Sequence, residues 1–243
     1  MIIEEISYEA GDQSFKGLLA RPIGDGPWPA ILVAHESFGL AQHTRDVAVR
    51  LAQEGFVAFA LDYVGNGTLL TELTEVVKRI EQWVADPAPL RLACAQAHQI
   101  LTSLSCVDSS RIAGYGYCFG AQALLEYART GADLKVIVGF HPGMSANRAT
   151  ESRSIRAKLL MFLGTDDPIT PKEQRLAFED EMTAAGVCWR MMLYGGVVHS
   201  FTIRAADEYG LPGVRYDAAA DEDSWRLAGA FLSECGIASK SSG

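Results

Sequence analysis

The 243-residue sequence lacks the features of a membrane or nucleic-acid-binding protein. No stretch approaches the roughly 20 apolar residues of a membrane span. The first residues, Met-Ile-Ile-Glu-Glu, have neither the basic region nor the apolar run of a secretory signal. Lys and Arg number 21 against 30 Asp and Glu, a net charge of −9, so a basic surface for nucleic acid or anionic lipid is not expected. We therefore expect a cytoplasmic protein with no nucleic-acid or membrane partner.

Cysteine is scarce, and its spacing forms no recognisable pattern. The five residues make no CxxC pair and no zinc-site spacing with histidine: Cys94, Cys106, Cys118, Cys188 and Cys235. An odd, scattered set in a chain of this size indicates free thiols in a reducing compartment. We expect no metal and no cofactor, and the open question is whether any of the five thiols does chemistry.

Short apolar runs alternate with amphipathic stretches along the whole chain. Residues 2–8 and 14–20 alternate apolar and polar positions around Gly11-Asp12, which predicts an antiparallel hairpin. Six further strands are predicted, several of them apolar throughout as in a sheet buried on both faces: Ala30–Ala34, Val57–Leu61, Arg111–Tyr115, Val136–Phe140, Leu159–Leu163 and Arg190–Tyr194. Helical spacing predicts five helices: Thr44–Glu54, Leu90–Leu104 with His98 on its polar side, Ala121–Arg129, Pro171–Ala185 and Asp221–Leu232.

This alternation predicts an α/β fold with one mostly parallel, doubly wound sheet and helices on both faces. We expect a single domain over residues 1–237, followed by a flexible tail at 238–243. Residues 64–86 are too few for a separate cap domain and are predicted to form a helical flap.

The segment Gly116-Tyr-Cys118-Phe-Gly120 is the strongest chemical signal. It joins a predicted strand directly to a predicted helix, which is the context of a nucleophile elbow. Glycines are needed there because the turn is so tight that side chains would collide with neighbouring backbone. The helix N-terminus favours a thiolate at Cys118. Two other interpretations stay open: a small apolar core cysteine, and a variant dinucleotide-binding loop at Gly114-x-Gly116-x-x-x-Gly120.

An acid and a histidine follow the elbow in the chain order that α/β-hydrolases use. Asp166 and Asp167 come after the strand Leu159–Leu163, and His199 comes after the strand that ends at Tyr194. Parallel strands bring their carboxyl ends to one edge of a sheet, so these side chains are expected near Cys118.

The sequence resembles the dienelactone hydrolase family of α/β-hydrolases along essentially its whole length. The resemblance rests on Ala-His-Glu-Ser-Phe-Gly at 34–39, the elbow at 116–120, Gly-Thr-Asp-Asp-Pro-Ile-Thr-Pro at 164–171, Val-His-Ser-Phe-Thr at 198–202, and the segment 216–225. It implies a triad in which Cys118 attacks and His199 acts as base and then as acid. Asp167, which stands four residues before Pro171 as the family's acid does, is implied to orient His199 in preference to Asp166.

The resemblance implies further roles at the end of the strand Ala30–Ala34. Glu36 would contact the nucleophile in the resting enzyme, and a buried carboxylate beside the thiol would keep Cys118 protonated until substrate displaces it. The backbone N–H groups of Ser37 and Phe119 would form the oxyanion hole.

The residues expected to bind substrate match the family pattern less completely than the triad does. Arg204 would bind a substrate carboxylate, whereas the region 64–86 offers only Lys78 and Arg79 as a second cation. Phe38 and Tyr117 would line an aromatic pocket, and His141 is a further candidate for its wall.

These residues predict hydrolysis of small-molecule lactones or activated carboxylic esters through a covalent acyl-thioester intermediate. The protein is expected to be a monomer or a weak homodimer. Two alternatives remain: an acyltransferase or thiol-redox protein that uses Cys118, and a non-catalytic binding protein with the same fold.

Overall fold

A computed structural model of the protein describes residues 1–144 and 148–239. Eight strands form one sheet: β1 (Ile2–Ala10), β2 (Gln13–Arg21), β3 (Trp28–Ala34), β4 (Val57–Leu61), β5 (Val107–Tyr117), β6 (Val136–Phe140), β7 (Lys158–Gly164) and β8 (Trp189–Tyr194). Their spatial order is β1-β2-β4-β3-β5-β6-β7-β8. The hairpin β1–β2 and the pair β2–β4 are antiparallel, and the other pairs are parallel. The predicted α/β fold is confirmed.

Helices cover both faces of the sheet. They are α1 (Gln42–Gln53), α2 (Leu73–Ala85), α3 (Ala88–Ser103), α4 (Phe119–Ala128), α5 (Ala149–Ser152), α6 (Lys172–Ala185) and α7 (Ala218–Glu234), with a short 3₁₀ helix at Ala206–Tyr209. Apolar residues of α2, α3, α4 and α6 share one core layer, and those of α1 and α7 share the other. The central strands are buried on both sides, which explains why they are apolar throughout.

Element ends differ from the predictions where a local signal was missed. Helix α7 begins three residues before the predicted Asp221, because the Asp217 side chain caps it by accepting the N–H of Ala220 at 3.0 Å. His98 on α3 is buried and not on a polar surface, and its Nδ1 lies 2.8 Å from the Tyr127 hydroxyl. That hydrogen bond offsets part of the cost of burying the polar ring among apolar residues.

The region 64–86 contains the predicted helix, α2. Val76 and Trp83 are buried against the core, whereas Leu73 and Val77 are half-exposed. The Trp83 ring stacks on Phe119, the first residue of α4, with centroids 5.3 Å apart. Helix α2 therefore packs directly on the elbow.

Ile237 is buried, and residues 240–243 of the expected flexible tail at 238–243 lie outside the described residues. Within residues 1–144 and 148–239, no helix combines the length and the apolar character that crossing a bilayer requires.

Candidate active site

Cys118 sits in a strained backbone conformation between β5 and α4. Its φ is +51° and its ψ is −118°, a region that residues with a side chain rarely adopt. Two hydrogen bonds hold the turn: the Cys118 N–H donates to the Phe140 carbonyl at 3.0 Å, and the Gly143 N–H donates to the Cys118 carbonyl at 3.2 Å. The side chain is partly exposed, so the thiol is accessible at the end of the sheet.

The glycines around Cys118 are required by close backbone contacts. A Cβ at Gly116 would lie 2.3 Å from the Cα of Ala121, and a Cβ at Gly120 would lie 2.3 Å from the carbonyl oxygen of Ala34. Helix α4 therefore starts directly against the end of β3. A Cβ at Gly114 would lie 2.9 Å from the Leu124 side chain, so helix packing accounts for the third glycine without a dinucleotide.

A buried aspartate orients His199. The Nδ1 of His199 lies 2.7 Å from Oδ2 of Asp167, and both side chains are almost fully buried. The other oxygen of Asp167 accepts the backbone N–H groups of Ile169 at 2.8 Å and Thr170 at 3.2 Å. Asp166 is exposed and does not share this geometry. The structure thus pairs Asp167 with His199.

The remaining ring nitrogen of His199 is available for chemistry. Its Nε2 is buried and has no hydrogen-bond partner among the described residues. Burial lowers the pKa of His199, but the charge of Cys118 and the hydrogen bonds with Asp167 and Cys118 raise it to about 10. The arrangement therefore favours the imidazolium form of His199 at neutral pH.

The backbone N–H groups of Ser37 and Phe119 are the expected oxyanion-hole donors. Phe119 is the first residue of α4, so its N–H has no acceptor inside the helix. Ser37 is buried in the loop that follows β3. A Cβ at Gly120 would lie 2.4 Å from the His35 carbonyl oxygen, which shows how closely this loop approaches the first turn of α4. The two expected oxyanion-hole residues thus come from adjoining segments.

Glu36 does not make the expected contact with Cys118. One carboxylate oxygen lies 2.5 Å from His43 Nδ1, and the other accepts the Thr44 hydroxyl at 3.0 Å. Burial raises the pKa of Glu36, but the charge and hydrogen bond of His43 bring it below its ordinary value. The same pair raises the pKa of His43 despite burial. Glu36 is corrected from a residue that masks the thiol to one that joins the β3 loop to α1.

Tyr117 is also corrected from a pocket residue to a core residue. It is 1% exposed, and its ring stacks on Phe140 with centroids 4.7 Å apart and meets the His43 ring edge-on at 4.8 Å. The alternation of side chains along a strand explains this, because Tyr117 is the last residue of β5 and points to the opposite layer from its neighbour.

The other proposed substrate contacts stay near the surface. Phe38 is partly exposed and lies 6.1 Å from the ring of Tyr209. Arg204 is exposed beside Tyr216, whose pKa is raised by burial and lowered by the guanidinium. Lys78 is exposed, and the Arg79 guanidinium lies 5.7 Å from the centre of the Trp83 ring. A second cation for a substrate carboxylate is thus not evident on α2.

The sequence predicts His141 only as a candidate for the pocket wall and assigns no role to His43. His141 is fully buried, with Nε2 2.8 Å from the Thr202 hydroxyl and its ring 5.0 Å from that of His199. It packs beside the His199–Asp167 pair and, being fully buried, does not form a pocket wall. His43 lies seven residues after Glu36, at the start of a predicted helix, and this spacing was the signal for its pairing.

The family model for dienelactone hydrolases matches residues 15–236. The chain belongs to the dienelactone hydrolase family. A solved structure with this family's fold, a dienelactone hydrolase-like promiscuous phosphotriesterase from metagenomic libraries, is 34% identical, with a TM-score of 0.91 over 96% of this chain and 98% of that one.

Two named relatives of this dienelactone hydrolase family member are more distant in sequence. The Escherichia coli K12 protein named "putative carboxymethylenebutenolidase" is 25% identical over 85% of this chain and 78% of its own. A Bradyrhizobium protein named "probable 2-oxo-3-(5-oxofuran-2-ylidene)propanoate lactonase" is 26% identical over 79% of this chain and 80% of its own.

Proposed function

We propose that this chain hydrolyses lactones or activated carboxylic esters, with Cys118 as nucleophile, His199 as proton carrier and Asp167 as the acid that orients His199. The observation that carries the proposal is the strained elbow thiol beside a buried His–Asp pair whose Nε2 has no other partner. The family and its lactonase-named relatives support the same substrate class.

The reaction proceeds in two halves. The Cys118 thiolate attacks the ester carbonyl carbon, and the backbone N–H groups of Ser37 and Phe119 stabilise the resulting oxyanion. The tetrahedral species collapses as His199 Nε2 gives its proton to the leaving alkoxide, which leaves an acyl thioester on Cys118. Water then attacks the thioester while His199 takes its proton, and collapse releases the carboxylic acid and the thiolate.

The nucleophile determines which esters react readily. A thiolate attacks enol-lactones and aryl esters readily, since their leaving groups are good, and it is a poor choice for unactivated alkyl esters. The thiol acts only while reduced, which is consistent with a reducing, cytoplasmic setting for a small-molecule hydrolase.

Substitution of the nucleophile tests the proposal directly. We expect Cys118→Ala and His199→Ala each to lower kcat for p-nitrophenyl acetate and simple enol-lactones by at least about 10³-fold, because the triad acts as a unit. Cys188→Ala removes an exposed thiol next to the amino end of β8 and should leave the rate unchanged. Hydrolysis that persists in Cys118→Ala would contradict the thiol mechanism.

The same assay separates the two adjacent aspartates. Asp167→Asn removes the carboxylate that bonds His199 Nδ1 and should lower kcat by about 10²–10⁴-fold, the range expected when a triad acid no longer fixes the histidine tautomer. Asp166→Asn changes an exposed side chain and should have no effect. A larger loss of kcat in Asp166→Asn than in Asp167→Asn would assign the role of the acid to Asp166.

Mass spectrometry distinguishes the alternative functions. An acyl adduct on Cys118 that water discharges supports hydrolysis, and one that discharges only to an added alcohol or thiol supports an acyltransferase. A chain that acquires no acyl adduct with any activated ester would be a binding protein.

A further inference from the structure

A buried pair of aromatic residues joins the ends of β3 and β4. His35 is fully buried and Tyr63 is 3% exposed, and their rings stack with centroids 3.8 Å apart. The Tyr63 hydroxyl donates to the His35 carbonyl at 2.5 Å and reaches the Glu36 carbonyl at 3.2 Å. The acyl-transfer steps above make no use of either side chain.

The hydrogen bonds of His35 define one tautomer. Its Nδ1 lies 2.5 Å from the Glu36 carbonyl oxygen, and because a carbonyl only accepts, Nδ1 carries the hydrogen. Its Nε2 then accepts the Tyr63 backbone N–H at 3.4 Å. Burial lowers the pKa of His35, which keeps the ring neutral and preserves this arrangement. The Glu36 carbonyl therefore accepts from the His35 ring and from the Gly39 N–H at 3.3 Å, and the Tyr63 hydroxyl, whose shorter hydrogen bond goes to the His35 carbonyl, lies within 3.2 Å of it.

The orientation of this carbonyl determines the direction of the next N–H. The Glu36–Ser37 peptide is trans, and in a trans peptide the carbonyl and the N–H point in opposite directions. Strand β3 lies between β4, which leads to Tyr63, and β5, which leads to Cys118. The Ser37 N–H therefore points away from the side on which the His35 ring, the Tyr63 hydroxyl and the Gly39 N–H meet the Glu36 carbonyl.

We propose that His35 and Tyr63 are positioning residues that hold the Glu36–Ser37 peptide so that the Ser37 N–H points at the oxyanion formed on attack by Cys118. The proposal rests on the proposed hydrolase function and names two residues that act on the reaction without touching substrate. A donor fixed in advance needs no reorganisation when charge develops, which is how an oxyanion hole lowers the barrier.

A direct effect of Tyr63 on the thiol is the competing explanation. The Tyr63 ring lies 6.3 Å from the ring of Phe119, the residue after Cys118, and the charge of Cys118 adds to burial in raising the pKa of Tyr63. The explanations differ in which reactions they affect. Ester hydrolysis passes through an oxyanion, whereas alkylation of Cys118 by iodoacetamide forms a C–S bond and releases iodide without one.

The test compares both reactions in Tyr63→Phe, which removes only the hydroxyl. We expect kcat for p-nitrophenyl acetate to fall roughly 10- to 100-fold, less than the 10²- to 10³-fold loss of a whole oxyanion donor. The KM should stay within about twofold, and the iodoacetamide rate should match wild type. Tyr127→Phe is the matched control, because it removes the hydroxyl of another buried Tyr–His pair, with His98, and should leave kcat unchanged.

His35→Phe provides a second variant that keeps a flat ring on Tyr63 and removes the Nδ1 donor. We expect kcat for hydrolysis to fall while the rate of alkylation by iodoacetamide stays at the wild-type value. The circular dichroism spectrum and the unfolding midpoint check that the variant is folded. Wild-type kcat in a folded variant, or alkylation slowed by the same factor as hydrolysis, would overturn the assignment. Failure of the hydrolase proposal is distinct, because Cys118→Ala would then retain activity while Tyr63 was unaltered.

Discussion

At the scale of single residues, the hydrogen-bond partners of buried polar side chains decide their roles. Asp166 and Asp167 are neighbours of the same type, yet only Asp167 is buried with both oxygens bonded, one of them to His199. Glu36 is a carboxylate beside the elbow, yet its oxygens are taken by His43 and Thr44. Residue type alone does not predict the role of each carboxylate. The role depends on which hydrogen-bond donor the fold places beside it.

The Glu36–His43 pair makes stability depend on pH. The pKa of Glu36 is lowered from 4.5 in the fold, so its contribution is complete above pH 4.5 and is lost as pH falls through the lowered pKa. The pKa of His43 is raised from 6.5, so its contribution is complete below pH 6.5 and is lost as pH rises through the raised pKa. The pair therefore stabilises the fold most between pH 4.5 and 6.5.

We expect Glu36→Gln to lower the free energy of unfolding by about 1–3 kcal/mol in that interval, the range for a hydrogen bond to a charged group. The difference from wild type should shrink at higher and at lower pH. Urea unfolding of both proteins from pH 3.5 to 9 measures it. A difference that does not vary with pH would show that the pair is uncharged.

At the scale of elements, the elbow depends on how closely α4 approaches β3. Gly120 is the second residue of α4, and the space that its Cβ would fill is occupied by the Ala34 and His35 carbonyls. The same contact brings the Phe119 N–H near the Ser37 loop. The glycine that permits helix packing therefore also permits the close approach of the two segments that carry the proposed oxyanion-hole donors.

Gly120→Ala should therefore reduce both stability and activity. Overpacking of this kind costs about 1–3 kcal/mol, and the displaced α4 should lower kcat for p-nitrophenyl acetate by roughly tenfold or more. Gly229→Ala is the control, because the same change in α7 meets no atom within 4 Å. It should leave kcat unchanged and raise stability by up to about 1 kcal/mol through helix propensity. Equal effects of the two substitutions on kcat would contradict this account.

At the scale of the whole molecule, a buried charge cluster joins elements that are distant in sequence. Glu126 and Arg129 of α4 bond to each other at 2.8 Å, and Arg129 bonds to Glu181 of α6 at 2.8 Å. Arg91 of α3 lies 2.7 Å from Glu126, and Arg148 lies 3.0 Å from it. The cluster thereby anchors the helix that follows the proposed nucleophile, Cys118.

Removal of one partner should weaken the hydrogen bonding of a buried charge. We expect Glu181→Ala to lower the free energy of unfolding by about 1–3 kcal/mol, the range for a hydrogen bond to a charged group, because it removes one of the two carboxylates bonded to the buried Arg129 while Glu126 remains. Glu234→Ala breaks an exposed pair with Arg190 and should leave the unfolding midpoint unchanged, since water screens that pair. Guanidinium unfolding curves of the two variants provide the comparison.

The α/β fold and the residue types of the candidate triad could be predicted from local sequence alone. Apolar strands, helical spacing and the glycines around Cys118 are local features, and they follow from backbone sterics and periodicity that one segment contains. The expected proximity of Cys118, Asp167 and His199 also follows from the sequence. Each residue comes after a predicted strand, and the carboxyl ends of parallel strands lie at one edge of the sheet.

The partners of the buried polar groups depend on the packing of separate elements. Glu36 bonds to residues of α1, Tyr117 lies in the core, and His35 and Tyr63 contact the carbonyl of Glu36 in the loop after β3. These outcomes depend on distances between segments tens of residues apart, where a shift of one ångström makes or breaks a hydrogen bond. A sequence pattern predicts which face of a helix or strand a side chain lies on. The packing of that element against others determines which groups the side chain contacts.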